Sequence, residues 1–165
     1  MHAPASPVWE SGFRRVIAWQ KAADLFSAVY RVADSIPNRD HWLRSQLLRA
    51  ARSVSANIAE GHGRGTIRDY IRFLETAISS LNEVENDLHL LKHNEIVSST
   101  LVDSLEPIRI ETGKVLTGLL RAMRKKLVNE RDWQRRQVSE EQGMYLAEGS
   151  VGLEFDDLDF LAPRS

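Results

Sequence analysis

Gln46-Leu47-Leu48-Arg49-Ala50-Ala51-Arg52-Ser53-Val54-Ser55-Ala56-Asn57-Ile58-Ala59-Glu60-Gly61-His62-Gly63-Arg64 is the stretch whose reading decides the fold. Leu47, Ala50, Val54 and Ile58 recur at steps of three and four, the period of a helix with one apolar face. Glycines at 61, 63 and 65 stop that helix, and Thr66 restarts another. Helix, short break and helix predict an antiparallel hairpin. The small residues Ala50, Ala51, Ser53, Ser55 and Ala56 let a neighbouring helix approach closely.

The pattern extends in both directions. Upstream, Trp19, Ala22, Ala23, Phe26, Val29, Tyr30 and Ala33 form the apolar stripe of a first helix over Val16 to Ser35. Ile36-Pro37 ends it, because the residue before proline disfavours the helical region. The loop Pro37-Asn38-Arg39-Asp40 is so short that the second helix must turn back on the first, and Asp40 is the expected N-cap. Downstream, Thr66-Ile67-Arg68-Asp69 is close to a capping box. Ile67, Ile71, Leu74, Ile78, Leu81, Val84, Leu88 and Leu91 then share one face of a third helix. Ser98 or Ser99 starts a fourth, with Leu101, Leu105, Ile108, Thr112, Val115, Leu119 and Met123 inward. Pro107 within it predicts a kink or a late start. Beyond Lys126 the pattern weakens into the charged run Asn129 to Gln137. No strand signal appears. The expectation is an all-α, antiparallel up-down-up-down four-helix bundle over 13–127, with an N-terminal arm at 1–12 and a charged extension and tail at 128–165.

Composition narrows the function. The 165 residues contain no cysteine, which removes disulfide scaffolds and thiolate metal sites. No window approaches the run of about 18 apolar residues that a membrane span needs, and Met1-His2-Ala3-Pro4 has no signal-peptide character. A cytoplasmic protein with no membrane partner is the expectation. The net charge of −1 hides a split, since residues 1–139 hold 21 Lys and Arg against 16 Asp and Glu, while 140–165 hold one Arg against seven acids. A basic body points to an anionic partner and an acidic tail to a separate role.

Three segments together carry a resemblance: Trp19-Gln20-Lys21-Ala22; Asn57-Ile58-Ala59-Glu60-Gly61 followed by Gly63-Arg64; and Tyr70-Ile71-Arg72-Phe73-Leu74-Glu75-Thr76-Ala77 with Ser80-Leu81-Asn82-Glu83. In these the chain resembles the four-helix-bundle proteins encoded in 23S rRNA intervening sequences, over roughly residues 13 to 127. The resemblance implies a bacterial homopentamer. It also implies distant kinship to the accessory variability proteins of diversity-generating retroelements, whose pentameric barrels hold a reverse transcriptase and its RNA. Trp19, Trp42, Tyr70 and Phe73 exceed what one four-helix core needs, which agrees with an oligomer.

Several constellations have plainer roles beside the functional ones. Gly61-His62-Gly63-Arg64-Gly65 before a helix start resembles an anion cradle, but it lacks the Lys-Ser/Thr of a P-loop and reads better as a left-handed cap and loose turn. Asn57 and Glu60, singled out by the resemblance together with Gly61 and Gly63, are expected to fix the glycine loop by hydrogen bonds, with Arg64 or Arg72 pairing Glu60. Glu85, His89 and His93 fall on one flank at i, i+4, i+8, yet no Glu-x-x-His pair accompanies them, so no metal and no cofactor are expected. Serines 53, 55, 79 and 80 suit close helix packing better than catalysis, and no activated nucleophile stands out. No enzyme is expected.

The basic residues are the stronger lead. Arg44, Arg49, Arg52, Arg64, Arg68 and Arg72 gather along the second helix and the start of the third, and Arg121, Arg124, Lys125 and Lys126 close the fourth. Arginine outweighs lysine, as bidentate phosphate contacts favour. In the tail Leu153-Glu154-Phe155-Asp156-Asp157-Leu158-Asp159-Phe160-Leu161, the apolar Phe155, Leu158, Phe160 and Leu161 alternate with acids and fit a docking motif for a partner or the ring itself. The sequence reading is therefore a non-enzymatic oligomeric adaptor for RNA or a nucleoprotein. A reverse-transcriptase accessory subunit and a scaffold acting through its tail are the alternatives.

Overall fold

In the computed structural model of the chain, the structure describes residues 12–149, with side chains through 132. Gly12–Arg15 forms a 3-10 turn, α1 spans Ile17–Ala33, a second 3-10 turn spans Asn38–Asp40, and α2 spans His41–His62. α3 spans Ile67–His93, the short α4 Ser99–Asp103, and α5 Glu106–Gly149. No strand occurs among the described residues. The chain divides into two units, Met1–Leu127 and Val128–Ser165, and residues 128–149 of the second are helical.

Most positions of the apolar stripes read from the sequence form or flank the core of the first unit, but Tyr30, expected on the inward stripe of α1, is exposed. Leu25 and Val29 of α1, Leu43, Leu47, Val54 and Ile58 of α2, Leu74, Leu88 and Leu91 of α3, and Leu116 of α5 are among the largest fully buried side chains. Truncating any one of these leucines to alanine removes its burial and leaves a cavity, which typically costs about 2–5 kcal/mol.

Polar contacts fix how the helices lie against one another. Arg44 Nη2 donates to Asp34 Oδ1 at 2.6 Å at one end of the α1–α2 pair, while Gly12 lies against His62 at the other. Ser80 Oγ donates to Ser53 Oγ at 2.9 Å, and Gly61 lies against Tyr70 and Phe73. Arg109 Nη1 reaches Glu85 Oε2 at 2.8 Å, and Arg124 Nη2 reaches Glu75 Oε1 at 2.7 Å. In each pair the partners run in opposite order along the chain. Thr112, placed on the apolar face by its spacing, is fully buried and satisfied within its helix, its hydroxyl donating to Ile108 O at 2.8 Å and lying 3.2 Å from Lys21 O.

Several boundaries differ from the sequence expectation, each for a local reason. Gly61 is not in the loop: α2 continues to His62, and Gly61 is buried inside it. No glycine among the described residues has positive φ, so the left-handed cap expected here is replaced by Gly63 in the right-handed region, its N–H reaching Glu60 O while Arg64 N–H reaches Gly61 O. The left-handed residue is instead Glu95, φ 52°, after α3. There Ile96 N–H donates to Leu91 O, which closes a Schellman turn without a glycine. Asp40 makes no side-chain cap and instead meets Arg39 at 3.3 Å. Thr66 does cap α3, accepting from Asp69 N–H at 3.1 Å and donating to Asp69 Oδ2 at 2.7 Å. Pro107 marks a late start: Glu106-Pro107 opens α5, where proline's missing N–H has no helical partner to lose, and Ser99–Asp103 stands apart as α4. The charged run after Lys126 does not end the helix, since α5 continues to Gly149.

Candidate nucleic-acid interface

The glycine motif explains itself on the α2–α3 seam. Asn57 does not fix the loop as expected: its Nδ2 donates back one turn, to Ser53 O at 2.8 Å and Ser53 Oγ at 3.0 Å. Through Ser53 it joins Ser80 of α3, so Asn57, Ser53 and Ser80 form a polar clasp inside the seam. Three small polar side chains at one level draw the helices together without leaving a buried donor unmet. One turn further on, the seam closes to contact distance. A Cβ on Gly61 would lie 2.6 Å from Phe73 Cβ and 2.7 Å from Tyr70 Cδ2, closer than carbon atoms pack, so only glycine fits. Tyr70 contributes the one buried side-chain polar atom without a hydrogen-bond partner among the described residues, its hydroxyl, and burial pushes the phenol pKa up.

Glu60 does act at the loop, and its partner is Arg64 rather than Arg72. That ion pair holds the Arg64 guanidinium 4.8 Å from the centroid of the Phe73 ring. An exposed cation–π contact contributes about 0.5–1 kcal/mol. Gly63 ends the helix in an open position with an exposed backbone, and Gly65 meets nothing nearby.

Beyond this seam the structure sorts the predicted cations into two groups. Arg64, Arg68 and Arg72 lie at the end of the unit where α2 gives way to α3, and Arg124, bonded to Glu75, brings Arg121, Lys125 and Lys126 to the same end. Arg14 and Arg15 join them, because Gly12 of their 3-10 turn touches His62. The acids of the first unit there are Glu60, Asp69 and Glu75, and Glu130 and Asp132 follow Lys126 along α5 in the second unit. Glu60 is held by Arg64, Glu75 by Arg124, and Asp69 by the Thr66 cap. Arg14, Arg15, Arg68, Arg72, Arg121, Lys125 and Lys126 are exposed, and no ion pair occupies them among the described residues.

Three predicted cations fall elsewhere. Arg44 is tied to Asp34 at the opposite end. Arg49 bonds Gln46, and its positive charge opposes a rise in the pKa of Asp87, whose carboxyl is pushed up first by burial. Arg52 lies on the exposed side of mid-α2, beside Ser53 of the clasp rather than at the basic end. Arg14 and Arg15 were missed because they precede the first apolar repeat. The signal was available, since two antiparallel helices place residues 13–15 beside 62–64.

The remaining candidates do not converge. Glu85 pairs with Arg109, whereas His89 and His93 stack on each other with centroids 5.9 Å apart. Among the described residues no group of three or more His, Cys, Asp or Glu is placed to hold a metal ion. No helix there is long and apolar enough to cross a membrane. Phe155, Leu158, Phe160 and Leu161 lie outside the described residues.

Fold and seam define a class: an all-α protein whose α2–α3 hairpin is closed by an Asn-x-x-Glu-Gly motif. The chain belongs to the family of 23S rRNA-intervening sequence proteins, whose model matches residues 14–118. Among solved structures it is similar to a protein of unknown function from the S23 ribosomal protein family of Bacteroides thetaiotaomicron. The two share 24% identity at a TM-score of 0.59, over 63% of this chain and 98% of that one, a likeness of fold. No functionally curated protein matches the chain.

Proposed function

We propose that this protein is a non-enzymatic, RNA-binding adaptor that works in the cytoplasm as a ring-like homo-oligomer, a pentamer by its family resemblance. The opposite order of contacts between α1 and α2, α2 and α3, and α3 and α5 supports the up-down-up-down bundle such a ring is built from. One observation carries the binding role: cations from the first 3-10 turn, α3 and α5 meet at one end of the bundle, where the first unit's acids Glu60, Asp69 and Glu75 are already engaged. Exposed arginines in that state exchange water and counterions for phosphate oxygens at little cost. The family's name, which refers to ribosomal RNA, agrees with that partner. Partly exposed apolar side chains such as Trp42, at 56% exposure, and Tyr30, at 55%, support contact between copies.

The test is binding of a fluorescent RNA across a salt series, with light scattering for the assembly. Affinity should fall by at least about tenfold between low and physiological salt. Arg68→Glu with Arg72→Glu and Arg121→Glu should weaken binding by about 30-fold or more across unrelated sequences, while Arg39→Glu with Arg44→Glu leaves it within about threefold. No salt-sensitive binding removes the adaptor reading, and a monomer at micromolar concentration removes the ring.

A further inference from the structure

We infer that the basic end is built for the paired phosphate backbones of a duplex rather than for a single strand, an inference that rests on the nucleic-acid reading above. Two features of the site carry it. First, among the described residues, the carbon-ring side chains at this end are already engaged. Arg64 covers Phe73 at 4.8 Å, Phe13 meets Trp19 edge-to-face at 5.1 Å, and His62 meets Tyr70 at 86°. All four carbon rings are partly buried. Proteins that hold single strands depend on open aromatic faces for base stacking, and each of these rings is already in contact with a neighbour and partly buried.

Second, the cations stand in two rows. Arg68 and Arg72 are one turn apart on α3, and Arg121 and Lys125 are one turn apart on α5, so charges in each row repeat about every 6 Å along their helix. The Glu75–Arg124 bond fixes the two helices side by side at this level, at 2.7 Å between the bonded atoms. Packed helices lie about 8–10 Å apart, so two rows of positive charge face outward together. A duplex presents one negative charge per about 1.7 Å of axis, twice the density of either strand alone, and offers a second line of phosphates to the second row. With these rings engaged, charge density and the double row decide the preference.

The experiment measures anisotropy of the full-length chain, at one fixed salt, with three probes. These are an RNA duplex of about 24 base pairs, a DNA duplex of the same sequence, and an unstructured uridine strand of equal length. Both duplexes should bind at least about tenfold tighter than the strand, with a steeper salt slope. The relative affinity of the RNA and DNA duplexes reports which backbone fits better and supports the inference in either order. Arg121→Gln with Lys125→Gln should weaken both kinds of probe but the duplexes by the larger factor, removing most of the duplex advantage, because only one row remains. Equal or tighter binding of the strand overturns the duplex inference and leaves the adaptor reading standing. Failure of all three probes to bind overturns both.

Discussion

The two ends of the first unit handle charge in opposite ways. At the end formed by Asp34, Arg44, Glu85 and Glu106, cations are consumed locally: Arg44 meets Asp34, Lys92 meets Asp103, and Arg109 grips Glu85 and Glu106 together. Arg109 keeps only 16% of its side chain exposed in doing so. At the end formed by Gly61, Arg64 and Tyr70, three acids face a larger set of bases, and each acid already has a partner. Exposed ion pairs contribute only about 0–1 kcal/mol each, so neither arrangement is needed for the fold to stand. The difference teaches that cancelled charge at one end and surplus charge at the other is a property of surface and partner, while the core beneath both ends is the same leucine and valine packing.

The same contrast appears inside the seam, and it sets the largest expected effect. Gly61 lets α2 touch Tyr70 and Phe73, so Gly61→Ala must push the helices apart at the basic end. Overpacking of this kind costs about 1–3 kcal/mol, and with two contacts below 3 Å the upper half of that range is expected. Thermal unfolding should show Tm lowered by about 5–10 °C. Amide exchange should accelerate around 58–74 before it does around 85–105. Unchanged Tm would mean that the seam has slack and the close approach is incidental.

Towards the other end, the expected effect is smaller and of opposite sign. Asp87 is 9% exposed, and burial raises its pKa, with Glu83 adding to the rise while Asn86 and Arg49 oppose it. A carboxyl whose folded pKa lies above its unfolded value prefers to be protonated in the fold. Its ionised form therefore subtracts stability above the folded pKa, and the penalty disappears as pH falls below the unfolded value. Asp87→Asn should raise Tm at pH 7 by less than Gly61→Ala lowers it, and the gain should vanish near pH 3. A destabilising Asp87→Asn at neutral pH would show that Arg49 holds the carboxylate more strongly than burial penalises it.

Much of this was legible in the sequence, for reasons that particular residues make plain. The three-and-four spacing of Leu47, Ala50, Val54 and Ile58 marks buried positions because helical period and burial are the same information. Thr66 and Asp69 marked a cap because the bond is local. Gly61 reads as a stop because propensity treats glycine so, whereas here tertiary contact with Tyr70 and Phe73 overrides it. The role of Asn57 is hidden in the sequence because its partners, Ser53 and then Ser80, depend on the register of α3. The sequence shows where the cations lie along the chain but cannot sort the paired from the unpaired. Whether Arg44 or Arg68 is spent on a carboxylate depends on neighbours ten or more positions away, as Asp34 shows.

The most direct test of the uneven charge pairing is lysine acetylation mapped by mass spectrometry, with and without saturating RNA. The unit supplies its own controls, since Lys125 and Lys126 stand at the basic end, while Lys92, paired with Asp103, stands at the other. Bound phosphate should protect Lys125 and Lys126 by about tenfold or more and leave Lys92 within about twofold. Protection of Lys92 equal to that of Lys125 and Lys126, or no protection of any lysine under saturating RNA, would contradict the placing of the nucleic-acid surface at this end.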